Sequence, residues 1–210
     1  MNPDAPLFPV WRLSRLRMAT DGAGVTALVC AQGCPLDCRY CINRQSKTFD
    51  GGTKVTPQQL YGLVKKDSLY YSATGGGVTF GGGEPLLHAD FIAAFRAIIP
   101  EEWRIYAETS LYVPEACVRT AAEAVDRFFV DVKDTDPQIY RGYTGADNGS
   151  VLKNLALLAE LAGPDRITVR LPLIPGYNTE EDRDRSRKLL LDMGLNDFDA
   201  FTYRLPERTE

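Results

Sequence analysis

"GGVTFGGGEPLLHADFIAAFRAII", residues 76–99, holds one complete structural unit. "GGVTF" (76–80) is a short apolar run suited to a buried strand. Glycines and a proline interrupt it, and "ADFIAAFRAII" then repeats apolar residues at helical spacing until Pro100 stops it. The same strand–turn–helix pattern extends in both directions. Upstream, "GVTALVC" (24–30) precedes the helical "TPQQLYGLVKKDSLYY" (56–71), with Thr56 as N-cap, Pro57 in the first helical position and Gln59 closing a capping box. Downstream, "RIYAET" (104–109) precedes "PEACVRTAAEAV" (114–125), and "RFFVDVK" (127–133) precedes "SVLKNLALLAELA" (150–162). "RITVRLPLI" (166–174) precedes a helix from Thr179, and "DFDAFTY" (197–203) is a sixth strand. Strict alternation of this kind predicts an α/β fold with a parallel sheet and right-handed crossovers.

The chain has 210 residues and a net charge of −4. It shows no repeat, low-complexity stretch or linker, so one domain over 1–210 is expected, with residues 1–20 as an N-terminal arm or edge segment. The acidic balance argues against a nucleic-acid partner. The one basic run, "WRLSRLR" (11–17), reads as a solvated strand or arm. No 18-residue apolar stretch occurs, and "MNPDAPLFPV" lacks the pattern of a signal peptide, so no membrane association and a cytoplasmic location are expected. In that compartment clustered cysteines read as metal ligands or redox groups rather than disulfides.

Polar or special residues gather at the carboxyl ends of the strands, where parallel barrels carry their chemistry. Cys34, Cys38 and Cys41 follow the first strand and "GGGEP" (81–85) the second. Glu108 and Thr109 end the third, Asp131 and Lys133 the fourth, and Arg170 lies in the fifth. Structural zinc asks for four ligands. Cys30 is a fourth thiol, but inside an apolar strand it reads as a small buried hydrophobe. His88, the single histidine, reads as a cap or a solvent-facing side chain. A [4Fe-4S] cube is the better fit to three thiolates, with one iron left open to an exogenous ligand.

C-x3-C-x2-C with an aromatic residue before the last cysteine resembles the cluster loop of radical S-adenosylmethionine (SAM) enzymes, and "GGGEP" resembles their GGEP motif. The resemblance narrows to the activases of glycyl radical enzymes. It is carried by "DGAGV" (21–25), "QGCPLDCRYCINRQS" (32–46), "GGTKVTPQQL" (51–60), "VDVKDTD" (130–136) and "VRLPLIPGYN" (169–178), and runs from about Asp21 to Tyr203. It implies a partial (β/α)6 TIM-type barrel. It also implies one [4Fe-4S] cluster on Cys34, Cys38 and Cys41, with SAM on the open iron. Reductive cleavage of SAM then gives a 5′-deoxyadenosyl radical that takes a Cα hydrogen from a glycine of a partner enzyme.

By the same resemblance, Gly82, Gly83 and Glu84 serve the methionine ammonium, the glycines letting a ligand approach closely. Asp131, Val132 and Lys133 contact SAM, with Lys133 toward its carboxylate. Tyr40 and Ile42 flank Cys41 near the adenine, Arg170 reaches the active site, and Asp21 helps hold the target peptide. Where relatives pair Asp with Thr at the end of the third strand, this chain has Glu108-Thr109; where they carry a histidine near the sixth strand, "FTYRLPE" (201–207) offers Arg204. The C-terminal segment of longer relatives is expected to be absent. Outside the loop only Cys30 and Cys117 remain, too few for a ferredoxin-like insert, so an external flavodoxin or ferredoxin is the expected electron donor to a monomer. Another radical SAM reaction (ribonucleotide reductase activation, peptide maturation or a small-molecule rearrangement) and a non-enzymatic zinc module are the competing readings.

Overall fold

The computed structural model describes residues 5–18 and 20–204. The chain begins with β1 (Phe8–Met18) and turns back as β2 (Val25–Ala31). A long loop leads to β3 (Thr53–Val55) and helices α1 (Pro57–Val64) and α2 (Ser68–Thr74). Then come β4 (Gly77–Gly82), α3 (Ala89–Arg96), β5 (Arg104–Thr109), α4 (Glu115–Ala124) and β6 (Arg127–Asp131). Two helices, α5 (Pro137–Thr144) and α6 (Gly149–Ala162), precede β7 (Ile167–Leu173), α7 (Glu180–Asp192) and β8 (Phe198–Thr202).

All eight strands join one sheet in the order β3-β1-β2-β4-β5-β6-β7-β8. From β2 to β8 every neighbouring pair is parallel, which gives the six-stranded parallel set of a partial (β/α)6 barrel. β1 and β3 extend its first edge in antiparallel fashion. Of the N-terminal arm expected over residues 1–20, residues 1–4 and 19 lie outside the described residues, and most of the rest is β1. β3 escapes the sequence reading because three residues are too few to show a period; pairing with Phe8–Val10 creates it.

The outer face of the sheet packs on the helices through a continuous apolar core. Phe80 of β4 meets Phe95 of α3 edge-to-face at 5.7 Å, and Phe8 of β1 lies 5.3 Å from Phe80. His88, expected as a cap or solvent-facing, does occupy the N-cap position of α3, but its side chain makes no capping hydrogen bond; it lies half-buried with its ring 5.2 Å from Phe8, and burial lowers its pKa. No helix among the described residues is long and apolar enough to cross a membrane.

The helix expected over 56–71 starts with the foreseen Thr56 capping box but breaks at Lys65–Asp67, which tightens into a 3-10 turn. The break turns Asp67 inward. Its carboxylate accepts from Arg15 Nε (2.6 Å) and Nη2 (2.7 Å), tying the helical layer to β1. Hydrogen bonding from Arg15 outweighs desolvation and lowers the Asp67 pKa, so the pairing contributes stability above the ordinary carboxylate pKa of about 4. That contribution fades as the pH falls through the depressed folded-state value. The stability gap between wild type and Arg15→Ala should therefore be constant near neutrality and narrow below about pH 4. Urea unfolding across a pH series measures it; a gap independent of pH down to acid unfolding contradicts the assignment.

Candidate active site

The loop after β2 carries the three cysteines and is tied down on several sides. Gly33 N–H donates to Ser46 O (2.7 Å) and Cys34 N–H to Lys47 O (3.1 Å), closing the loop on itself. The Gln32 side chain donates to Thr48 O (2.7 Å) and Gln45 O (3.1 Å) across its base. On the far side, Asp37 N–H and Arg39 N–H, flanking Cys38, donate to Thr144 O and Tyr143 O at the end of α5. The sequence reading missed α5, although its start and stop were written: Asp136 caps it, Pro137 opens it, and Gly145 leaves it at φ 79°.

The loop's third anchor is the glycine turn after β4. Glu84 N–H donates to Gly33 O (2.9 Å), and Asn43 Nδ2 donates to Gly82 O (3.3 Å). This contact explains the glycines better than ligand approach does. A Cβ on Gly83 would lie 2.2 Å from Gly33 O, and one on Gly82 (φ +89°) would lie 2.6 Å from Cys30 Cβ. The absent side chains let the turn lie against β2 and the start of the cysteine loop. Gly83→Ala should consequently destabilise the fold by about 1–3 kcal/mol, the usual cost of overpacking, and lower iron uptake through the displaced loop. Denaturant unfolding and iron analysis test this; a midpoint equal to wild type contradicts it.

Cys34, Cys38 and Cys41 all line one cavity of about 700 Å³ on the inner side of the sheet. Asp21, Tyr40, Ile42, Gly82, Gly83, Glu84, Glu108, Thr109, Asp131, Lys133 and Arg170 line it too. Two expected residues do not. Val132 is fully buried in the apolar core, and its N–H donates to Val130 O and Arg170 O, so its side chain and its N–H are both committed within the protein. Arg204 is exposed and outside the cavity wall, whereas its neighbour Tyr203 lines it.

Glu84, expected to serve the methionine ammonium, is engaged within the protein. It is buried, and its carboxylate already accepts four hydrogen bonds: from Leu86 N–H (3.2 Å), Thr109 Oγ1 (2.7 Å), Ser110 N–H (2.9 Å) and Ser110 Oγ (2.6 Å). Burial raises its pKa against those donors. Glu84 and Thr109 thus clamp the ends of β4 and β5 together. Their saturation leaves little capacity for a ligand ammonium.

The remaining charges of the cavity are paired with one another. Lys133 is buried, with Nζ 3.0 Å from Tyr203 Oη and 3.3 Å from Asp131 Oδ2. Burial opposes its charge, yet Asp131, Tyr203 and Cys38 together hold its pKa well above the free-lysine value. Arg170 Nη2 donates to Glu108 Oε1 (2.8 Å), and its guanidinium lies 4.9 Å from the Phe129 ring centre. Burial disfavours the Arg170 charge, but Glu108 and Asp131 overcome it. Glu108, whose pKa burial raises, is therefore one half of an ion pair, and any bound cation there has to share it with Arg170. Asp21 is held by Arg17 Nε (2.5 Å) and Nη2 (3.1 Å). The Tyr40 hydroxyl donates to Pro175 O (3.2 Å), and its ring packs against Tyr143 and Tyr177.

Sequence reasoning foresaw β8 as a strand and the basic run as a strand or arm, but not that either contributes to the cavity wall. Trp11, Arg12, Ser14 and Arg17 of β1, and Asp199 and Phe201 of β8, all line the cavity. The basic run was expected to be solvated. Register shifts between Val10 and Arg12 and between Ser14 and Arg17, with Leu16 at φ 55°, turn Arg17 rather than Leu16 inward.

Three thiols from one anchored loop, facing one cavity, are a fitting donor set for an iron–sulfur cube, which takes one thiolate per iron. Among the described residues no three His, Cys, Asp or Glu side chains converge on a point suited to a single metal ion. The cube asks for thiols that share a cavity, not a point. Burial pushes the Cys34 thiol up to about 12 and raises Cys38, with Lys133 opposing the latter shift. Loading such a site with metal must release these protons.

A parallel half-barrel whose strand ends close on a three-cysteine loop is the fold of radical SAM proteins. The chain belongs to that superfamily: the Radical SAM superfamily model matches residues 28–189. Within it, the chain is similar to activating enzymes. It is 38% identical over 130 residues to the (2S)-3-sulfopropanediol dehydratase activating enzyme of Klebsiella oxytoca, covering 61% of this chain and 40% of that protein. It is 30% identical over 178 residues to the pyruvate formate-lyase 1-activating enzyme of Escherichia coli K12, covering 83% of this chain and 72% of that protein. The chain thus spans well under half of the first relative's length. A crystal structure of Streptococcus suis SuiB bound to S-adenosylmethionine superposes with a TM-score of 0.64 at 12% identity, covering 84% of this chain and 40% of that one. That likeness bears on the fold alone.

Proposed function

We propose that residues 1–210 act as one radical SAM domain, an activase that abstracts a Cα hydrogen from a glycine of a partner glycyl radical enzyme. The observation that carries this reading is the placement of the three-thiol loop and the Lys133–Asp131 pair around one cavity. Resemblance to enzymes named as activators of other enzymes supports the choice of substrate. With SAM bound, a reduced [4Fe-4S] cluster supplies the electron that breaks the sulfonium and leaves a hydrogen-abstracting carbon centre.

The chain's own residues do the positioning. Cys34, Cys38 and Cys41 would hold the cluster through their thiolates. Lys133 pairs with the methionine carboxylate, while Glu84 and Thr109 keep the β4 and β5 ends in register beneath it. Tyr40 and Ile42 flank the adenine. Arg170 and Asp21, each fixed by a charged neighbour, face the peptide that enters between β1 and β8. Bound SAM would supply the carbon centre that takes the glycine Cα hydrogen as 5′-deoxyadenosine, and the glycine's two flanking amides would delocalise the radical left behind. An external flavodoxin or ferredoxin in the cytoplasm supplies the electrons.

The test mixes the reduced protein, SAM and a glycyl radical enzyme under anaerobic conditions. EPR should show a doublet that collapses when the target glycine carries deuterium at Cα. Transfer of hydrogen from a small molecule or short peptide, with no doublet in any glycyl radical enzyme, assigns a different radical SAM reaction.

A further inference from the structure

The outer face of the cysteine loop carries a second, smaller concavity of about 290 Å³, lined by Asp37, Cys38, Arg39, Arg44 and Lys47. Cys38 borders both this concavity and the large inner cavity, so one residue forms the wall between them. Lys47 Nζ donates to Asp37 Oδ1 (2.5 Å) and to Cys38 O (2.9 Å), which neutralises it locally. Arg39 and Arg44 are different. Both are exposed, and among the described residues neither has a carboxylate within ion-pair reach. Arg44 Nη2 donates to Arg39 O (2.6 Å), which holds the two residues side by side. The chain as a whole has a net charge of −4, so two guanidiniums beside one carboxylate already paired with Lys47 leave a local positive patch over Cys38 on an acidic protein.

We propose that this face docks an acidic one-electron carrier protein, with Arg39 and Arg44 as its electrostatic anchors and Cys38 as the crossing point to the cluster. The proposal rests on reading Cys34, Cys38 and Cys41 as cluster ligands. Tunnelling falls steeply with distance, so a carrier must seat its redox centre where the cluster lies nearest the protein surface. The inner cavity is the route for SAM and substrate, and the Cys38 wall is the face that leaves that route free. The step moves one electron: the carrier's reduced flavin is oxidised by one electron, the cluster is reduced by one, and no proton or atom is transferred. Complementary charge of this kind acts mainly on the encounter rate and is screened by salt. A nucleic acid would instead need a longer basic stripe than two arginines beside a neutralised lysine.

The experiment uses the reconstituted protein and reduced flavodoxin, with cluster bleaching followed by stopped-flow absorbance and flavodoxin affinity measured in parallel. Arg39→Glu/Arg44→Glu should slow flavodoxin-driven bleaching and weaken affinity by about 10-fold or more at low salt. Bleaching by dithionite should be unchanged, which shows that loop and cluster are intact in the variant. Arg39→Gln/Arg44→Gln should fall between variant and wild type, and about 0.5 M salt should bring all three together. Equal flavodoxin rates and affinities in wild type and the reversed variant at low salt overturn the proposal. So does a loss of binding to a DNA duplex in the variant with flavodoxin binding retained. If dithionite fails to bleach the wild type, the cluster reading itself falls and takes this proposal with it.

Discussion

Replacing Cys34, Cys38 or Cys41 by alanine should each abolish cluster binding, while wild type reconstituted anaerobically binds about four irons per chain, the stoichiometry of a cube. The loop stays folded in each variant, because its anchors are backbone groups and the Gln32 amide rather than the thiols. Cys30→Ala and Cys117→Ala should retain full iron content. Cys30 lines the cavity but belongs to β2, where it pairs with Arg12 and Gly81, and burial pushes its thiol up to about 11. Cys117 lies on α4, outside the cavity wall. Iron and sulfide analysis with the visible spectrum reads the result. Loss of iron in Cys30→Ala would mean a four-thiolate site without an open position, and stoichiometric zinc in place of iron would restore the zinc-module reading.

The second large effect is expected at Lys133. Lys133→Met keeps most of the stem volume but removes the buried cation that pairs with Asp131 in this wall. A SAM carboxylate then loses a charge-assisted hydrogen bond of about 1.5–3 kcal/mol, which weakens binding by roughly 10- to 150-fold. It also meets Asp131 with the Lys133 charge gone and only Arg170, already shared with Glu108, nearby, which acts in the same direction. Iron content should be unaffected, since Lys133 is no ligand, and Lys133→Arg should recover part of the affinity. Calorimetric titration of SAM into the iron-replete protein measures this. An affinity within threefold of wild type would remove Lys133 from the binding site.

What the sequence made legible follows from how local each signal is. The cysteine loop is read from covalent spacing, and Asp131 and Lys133 from two positions on one strand end. The parallel set is read from short apolar runs that alternate with helical patterns. The failures share a different cause. β3 exists only because Phe8–Val10 lies beside it, and the break at Asp67 only because Arg15 reaches it from β1. Glu84 looks like a ligand in "GGGEP" because nothing in that stretch reveals Ser110 and Thr109 closing over it from the next strand. Arg17 faces inward because register shifts in β1 reset its alternation, and no local pattern announces a shift. α5 is the exception. Asp136, Pro137 and Gly145 marked its ends, and its last carbonyls anchor the backbone on either side of Cys38.

The central claim, hydrogen transfer from a protein glycine to a carbon centre derived from SAM, is tested most directly by following the hydrogen itself. A glycyl radical enzyme is prepared with glycine deuterated at Cα and mixed anaerobically with the iron-replete, reduced protein and unlabelled SAM. Mass spectrometry of the recovered 5′-deoxyadenosine should show one deuterium per molecule, in amounts matching the glycyl radical counted by EPR and absent with Cys38→Ala. 5′-Deoxyadenosine that forms in quantity but carries no deuterium would contradict the account.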